Sequence, residues 1–362
     1  MKKPTDVFFL APTTTSHGIG NLSEIGGGAS IQLQLIPAEN ACKALGLSSA
    51  SLSLHASHPE DLNLIDKPKI CIAGKLRCKG TIFNQNQLAM SYLAAIARVK
   101  ARDGKLIVLY SDHMENAEAP IRELYVNVLK LADAVVFPCK AIQKAAKQWI
   151  NYLPLEFLIE DPWQTREQPF LNNTITNKIE VVWFGHESNL KFLLQNLTQL
   201  DYAEGTKRSL TITILTSDVG IRLFQKKLGD RKFKNLKFKF FIWDNKSQPQ
   251  QLEDILGSHQ FCIIPSDVND KKKFSASHNR LVDAVRSGCI TIASPIKSYL
   301  ELSEVSIISN NISQGLATAI DEQAELSKNF AIKRTDILKK FSPEANHLKW
   351  KHCLEQVINL AS

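Results

Sequence analysis

The sequence predicts an α/β protein built from two Rossmann-like domains, each with a parallel sheet, and three observations carry that expectation. The chain has 362 residues, more than one ordinary domain needs and a comfortable length for two. Short apolar runs alternate with amphipathic stretches at helical spacing, the pattern of parallel strands covered on both faces. The alternation breaks once near the middle and then restarts.

In the first half, strands are predicted at Val7–Ala11, Leu52–Ala56, Ile70–Ala73, Leu106–Tyr110, Ala134–Phe137 and Glu156–Ile159. Helices fall between them at Ala29–Leu45, Asn86–Arg102, Ala119–Leu131 and Lys140–Trp149. The stretch Glu160–Lys178 holds two prolines and no helical period, so it reads as the interdomain connection. The first domain is set at 1–165, the linker at 166–178 and the second domain at 179–342. Strands of the second half are expected at Glu180–Phe184, Leu210–Leu215, Lys237–Trp243, Phe261–Ile264, Ile290–Ala293 and Val305–Ile308. Its helices are expected at Ser188–Leu200, Gly220–Leu228, Gln250–Gly257, Ala276–Ser287 and Ile312–Leu326, with two more at Ala331–Lys340 and Pro343–Leu360.

No apolar run reaches the ~18 residues a bilayer span requires. Met1-Lys2-Lys3 is followed only by the short segment Val7–Ala11, which reads as a first strand rather than a signal sequence. Cytoplasmic residence is the default expectation. The seven cysteines, at 42, 71, 78, 139, 262, 289 and 353, are scattered and fit neither a zinc site nor a redox pair. They are read as reduced thiols. The net charge of +8 is local: residues 207–246 hold 11 Lys/Arg against three Asp.

Ligands of open parallel sheets bind beyond the carboxyl ends of strands, and pockets favour domain interfaces. Four loops qualify. The first is Thr13–Gly20, running on to Gly26-Gly27-Gly28, where Gly18, Gly20, Gly27 and Gly28 let the backbone approach a phosphate. It also carries His17, a group able to act as a base or to bond an acceptor hydroxyl. The second is Ser111-Asp112-His113, in which Asp112 orients His113, binds a sugar hydroxyl or merely caps the next helix. The third runs from Gly185 to Lys191, with a tight turn, helix amides and a cation for a diphosphate; its plain reading is a capped helix with a solvated lysine. The fourth is Lys273–Pro295, where Ser275, Asn279 and Asp283 share one helical face with Arg280 and His278 near the first turn. That stripe suits a phosphate and a ribose, and it also describes the polar face of an ordinary surface helix.

The fourth segment, SxxHNRLVDAVRSGCITIASP, resembles the donor-binding segment of GT-B glycosyltransferases, the superfamily that includes glycogen and sucrose synthases. It is similar to a divergent bacterial group with a (K/R)xxNR(L/V) helix. Gly26–Ser30 resembles the glycine loop of the same superfamily, and Gly185 its second-domain loop. The resemblance implies a GT-B-like fold with a C-terminal crossing helix at 343–362 that packs toward the first domain. Trp350, Cys353, Leu354, Val357 and Ile358 supply one apolar face for it. It further implies that Asp283 binds the donor ribose, while Ser275 stands where the family has an acid that contacts the sugar.

On this resemblance the expected activity is a hexosyltransferase-like transfer from a nucleotide-sugar donor to a saccharide or lipid-linked acceptor in the interdomain cleft. It implies polysaccharide biosynthesis, stereochemistry being unassigned. No cofactor and no obligatory metal are expected, Asp267–Asp270 reading as a turn. The alternative is a GT-B-shaped protein that binds a sugar nucleotide or glycan without turnover. A second alternative rests on the lysines of 226–239 and 271–273, interleaved with Phe233, Phe238, Phe240 and Phe241: peripheral contact at the inner face of a membrane, or nucleic-acid binding. Nucleic acid is not expected as a partner, since the same alternation describes a strand with a solvated face.

Overall fold

The computed structural model describes residues 5–11, 18–20, 22, 29–53, 68–76, 82–171, 178–201, 209–244, 248, 250–270, 273 and 276–360. The chain forms two compact units, Met1–Pro162 with Phe341–Ser362, and Trp163–Lys340.

The first unit holds β1 (Val7–Leu10), β2 (Gly18–Gly20), β3 (Ser49–Ser53), β4 (Ile70–Ala73), β5 (Lys105–Leu109), β6 (Ala134–Phe137) and β7 (Leu155–Leu158). They lie in the order β2-β3-β1-β4-β5-β6-β7. Neighbours run parallel except β2, which pairs antiparallel with β3. Because successive side chains of a strand point to opposite faces, β1 sends Val7 and Phe9 into one core and Phe8 and Leu10 into another. Helices α2 (Ile82–Lys100), α3 (Ala119–Leu131) and α4 (Lys140–Trp149) cover the Phe8 face. The Phe9 face is covered by α1 (Ile36–Ala44), preceded by a π-helical turn at Ile31–Leu35, and by the C-terminal helix Pro343–Asn359. Trp350, Cys353, Leu354 and Val357 of that helix are buried there, each large apolar side chain stabilising by roughly 1.5–3 kcal/mol. The expected crossing helix thus belongs to the first unit.

The second unit holds β8 (Lys178–Phe184), β9 (Ser209–Thr216), β10 (Leu236–Ile242), β11 (Phe261–Ile264), β12 (Ile290–Ala293) and β13 (Ile307–Ile308). Their order is β10-β9-β8-β11-β12-β13, all parallel. The chain builds outward from β8 to β10, then returns to start the other half at β11. The crevice beyond the carboxyl ends of β8 and β11 is therefore the topological switch point, where doubly wound sheets bind ligands. Helices α5 (Leu190–Asp201), α6 (Asp218–Leu228), α7 (Gln251–Gly257), α8 (Asn279–Arg286), α9 (Ile312–Asp321) and α10 (Gln323–Leu338) complete the unit.

Several expected elements are displaced. The strand expected at Leu52–Ala56 lies at Ser49–Ser53, because its ladder to β1 begins with Val7 opposite Ser49. The helix expected from Ala276 starts at Asn279, whose Oδ1 accepts the Arg280 amide within the first turn. The helices expected at Ile312–Leu326 and Ala331–Lys340 are instead α9 and α10, broken at Glu322, where the backbone leaves helical geometry (φ −104°, ψ 15°). No disulfide joins the described cysteines, all six of which are buried. No helix among the described residues is long and apolar enough to cross a membrane.

Candidate functional site

The switch point of the second unit is built from the chain upward as follows. Strand β8 ends at Phe184, and Gly185 then turns with φ +145°, a conformation L side chains rarely adopt. Its amide donates to the Leu215 carbonyl (3.1 Å), and its own carbonyl accepts from Thr216 Oγ1 (2.7 Å), so the turn is fixed against β9. A Cβ at this position would sit 3.1 Å from Arg280 Nε. Glycine is needed here both for its backbone angle and to let the guanidinium approach.

Arg280 lies in the first turn of α8, near the positive end of that helix. Its guanidinium carbon lies 5.3 Å from the Trp183 ring centroid and 5.4 Å from that of Phe184. Its Nε and Nη2 are sealed from solvent and have no hydrogen-bond partner among the described residues. Burial draws its pKa downward, with Tyr299 and Cys262 opposing. Leaving a buried donor of a charged group unpaired costs about 1–3 kcal/mol or more, so the geometry favours an anion at this place.

Two lysines share the field. Burial and then the charge of Arg280 lower the pKa of Lys273, Asp270 opposes, and Lys191 lowers it further. Lys191 pairs with Asp270 at 2.7 Å and lies 4.6 Å from the centroid of the Phe192 ring. Lys191 and Lys273 thus share one carboxylate, Asp270, with Arg280 close enough to act on Lys273. Asp270 closes the expected turn, its amide bonding the Asp267 carbonyl at 3.2 Å.

One turn further along α8, Asp283 is fully buried and engaged by the segment that opens the second unit. Its Oδ1 accepts the Gln164 amide at 2.7 Å and its Oδ2 the Gln164 side chain at 3.4 Å. Burial raises its pKa to about 7, against the pull of those hydrogen bonds. The same segment receives Arg286, whose Nε donates to the Thr165 carbonyl (2.8 Å) and whose guanidinium lies over Trp163 at 3.6 Å. Gly288, at φ +81°, ends this region with no room for a side chain: a Cβ would lie 2.2 Å from the Pro169 carbonyl oxygen. His278 is buried 3.6 Å from Glu301.

In the first unit, the carboxyl end of β5 carries Ser111-Asp112-His113. Asp112 is about two-fifths exposed and paired with Lys75, which follows β4. His113 is buried, with Nδ1 3.2 Å from the Tyr110 hydroxyl and Nε2 3.0 Å from Glu115 Oε2. Its neighbour Ser111 donates to Gln34 in the π-helical turn (2.5 Å), and Gln34 donates to the buried Asp161 (2.9 Å). Gly18 and Gly20 form the antiparallel edge strand β2 against Ser53 and Ser51. His17, Gly27, Gly28 and Ser275 lie outside the described residues.

The structure therefore brings Gly185, Lys191, Asn279, Arg280 and Asp283 to one end of one sheet. It adds Lys273, which opens the fourth candidate segment and ends a lysine run but had no role assigned there, and Gln164, for which no sequence signal exists.

No protein-family model matches the chain, and no curated protein matches it. Solved structures do. A glycosyltransferase from Rickettsia africae is similar at a TM-score of 0.64 and 11% identity, over 99% of this chain and 99% of that one. HepE from Anabaena, solved with UDP and glucose, is similar at 0.63 and 13% identity, over 97% of this chain and 99% of that one. TarM is similar at 0.55 and 15% identity over 84% of this chain, which spans 57% of TarM's length. These likenesses show that the chain has the GT-B fold.

Proposed function

We propose that the chain is a glycosyltransferase whose second unit holds a nucleoside-diphosphate sugar and whose first unit presents the hydroxyl of a saccharide or lipid-linked acceptor. The observation that carries the reading is Arg280, with two sealed guanidinium donors at the switch point and Gly185 pared back to admit it. The UDP and glucose in the HepE structure support a uridine diphosphohexose as donor.

In this reading the acceptor oxygen forms a bond to the anomeric carbon as the bond from that carbon to the diphosphate oxygen breaks. The electron pair leaves with the diphosphate. Arg280, Lys273 and Lys191 are placed to stabilise that growing charge in a partly desolvated site, which is where fixed cations contribute most. Asp283 takes a ribose hydroxyl by exchanging the side-chain donor of Gln164 at 3.4 Å, the longer of its two bonds. Asp112, the exposed member of the Asp112–His113 pair, takes the acceptor proton. His113 has both ring nitrogens in contact with Tyr110 and Glu115 and serves to position that loop. The serine at 275, where the superfamily carries an acid, favours the second reading, a binder without turnover.

The test is a panel of UDP-, GDP- and CMP-sugars scored by thermal shift and by release of free nucleotide. A ligand at about 100 times its Kd stabilises the native state by about 2.7 kcal/mol. Arg280→Gln is expected to weaken the nucleotide about 100-fold, since each charge-assisted bond is worth about 1.5–3 kcal/mol, while leaving the circular dichroism unchanged. An undiminished shift in that variant would overturn the site. A shift without nucleotide release would select the binder.

A further inference from the structure

We propose that the α6–β10 corner of the second unit docks on a bilayer surface carrying anionic phospholipids. Lys226 and Lys227 lie in the last turn of α6, Arg231, Lys232 and Lys234 follow in the connecting loop, and Lys237 is the second residue of β10. All six are exposed, and none has a carboxylate partner among the described residues. Asp230 is the single acid between the first and last of them. Over residues 226–237 six cations thus stand against one exposed carboxylate, a net excess of five.

The corner is also held in shape. The buried carboxylate of Asp201 accepts the amides of Lys234 (3.1 Å), Asn235 (2.7 Å) and Leu236 (3.2 Å), and the Asp201 carbonyl accepts from the Asn235 side chain (2.9 Å). The cations therefore need little ordering before they meet a surface. The corner lies at the amino end of β10, away from the carboxyl edge where Gly185 and Arg280 sit, so docking leaves that edge open.

Between an anionic membrane and a nucleic acid, the side chains favour the membrane. Five of the six cations are lysines, point charges suited to a diffuse headgroup layer rather than to bidentate readout. Binding of single strands needs several free aromatic faces for bases, and here three of the four interleaved rings are used internally, leaving Phe241 exposed toward the other end of β10. Phe238 and Phe240 pack on Phe224 at 5.3 and 5.7 Å, and Phe233 lies edge-on to Phe238 at 5.8 Å.

The experiment is co-sedimentation of the full chain with vesicles of phosphatidylcholine alone or with about one quarter phosphatidylglycerol, beside a labelled RNA oligonucleotide. Each basic residue near an anionic surface contributes roughly a fivefold change in partition. The triple variant Lys226→Gln, Lys232→Gln, Lys234→Gln is thus expected to lose about 100-fold on anionic vesicles. Binding should also vanish near 1 M salt, where the screening length is about 3 Å. These side chains are exposed, so an unchanged melting temperature verifies folding. Absence of binding to anionic vesicles, equal binding to neutral ones, indifference to the triple variant, or tighter binding of RNA than of vesicles would each overturn the proposal.

Discussion

Replacing Asp283 by Asn tests whether a buried acid in α8 sets the pH dependence of the second unit. Burial raises the carboxyl from its ordinary 3.8 to about 7, despite the hydrogen bonds from Gln164. That difference corresponds to about 4 kcal/mol between the two protonation states. The sign follows from proton counting. Between pH 4 and pH 7 the folded chain holds a proton on Asp283 that the unfolded chain has released, so stability falls as pH rises through this window. Above pH 7 the ionised group costs the full amount. Asparagine is neutral throughout and its amide oxygen can accept the Gln164 amide at the same place. Urea denaturation should therefore show a variant more stable than the parent by about 1.7 kcal/mol at pH 5 and by about 4 kcal/mol at pH 8. A variant that loses the same stability at both pH values would refute the argument, since it would show the carboxylate to be stabilising in its ionised form.

Two further outcomes follow from packing. Gly185→Ala forces a Cβ to within 3.1 Å of Arg280 Nε at φ +145°; it should destabilise by about 1–3 kcal/mol and lose the nucleotide-induced thermal shift, and a normal melting temperature with a normal shift would contradict the fit described. Trp350→Ala removes a fully buried ring from the core shared by α1 and the C-terminal helix; calorimetry should register a loss of about 3–5 kcal/mol, and a loss below 1 kcal/mol would mean that the helix is not anchored there.

The fold was readable because β4, β5, β6, β11 and β12 are apolar on both faces, which is the mark of a covered parallel sheet. What escaped was local or long-range. Gly18-Ile19-Gly20 has one strand-forming residue between two glycines, and its pairing depends on the neighbouring β3. Nothing in Ile320-Asp321-Glu322-Gln323 announces a helix break. At the site, the shared face of Asn279 and Asp283 was legible from spacing, whereas the partner of Asp283 stands 119 residues away and no periodicity reaches that far. Lys273 was visible as the first residue of the fourth segment and the last of three consecutive lysines; its closeness to Arg280 and Lys191 depends on the turn at Asp267–Asp270.

Helix α8 is gripped along its flank by residues 164–168, through the Asp283 carboxylate, the Asp283 carbonyl and the Arg286 carbonyl and guanidinium. An eight-residue rod held in this way cannot roll or slide by itself. The bearing of the guanidinium at its tip is consequently inherited from a stretch of irregular chain, so loosening Gln164 or Thr165 would also shift Arg280 against Gly185.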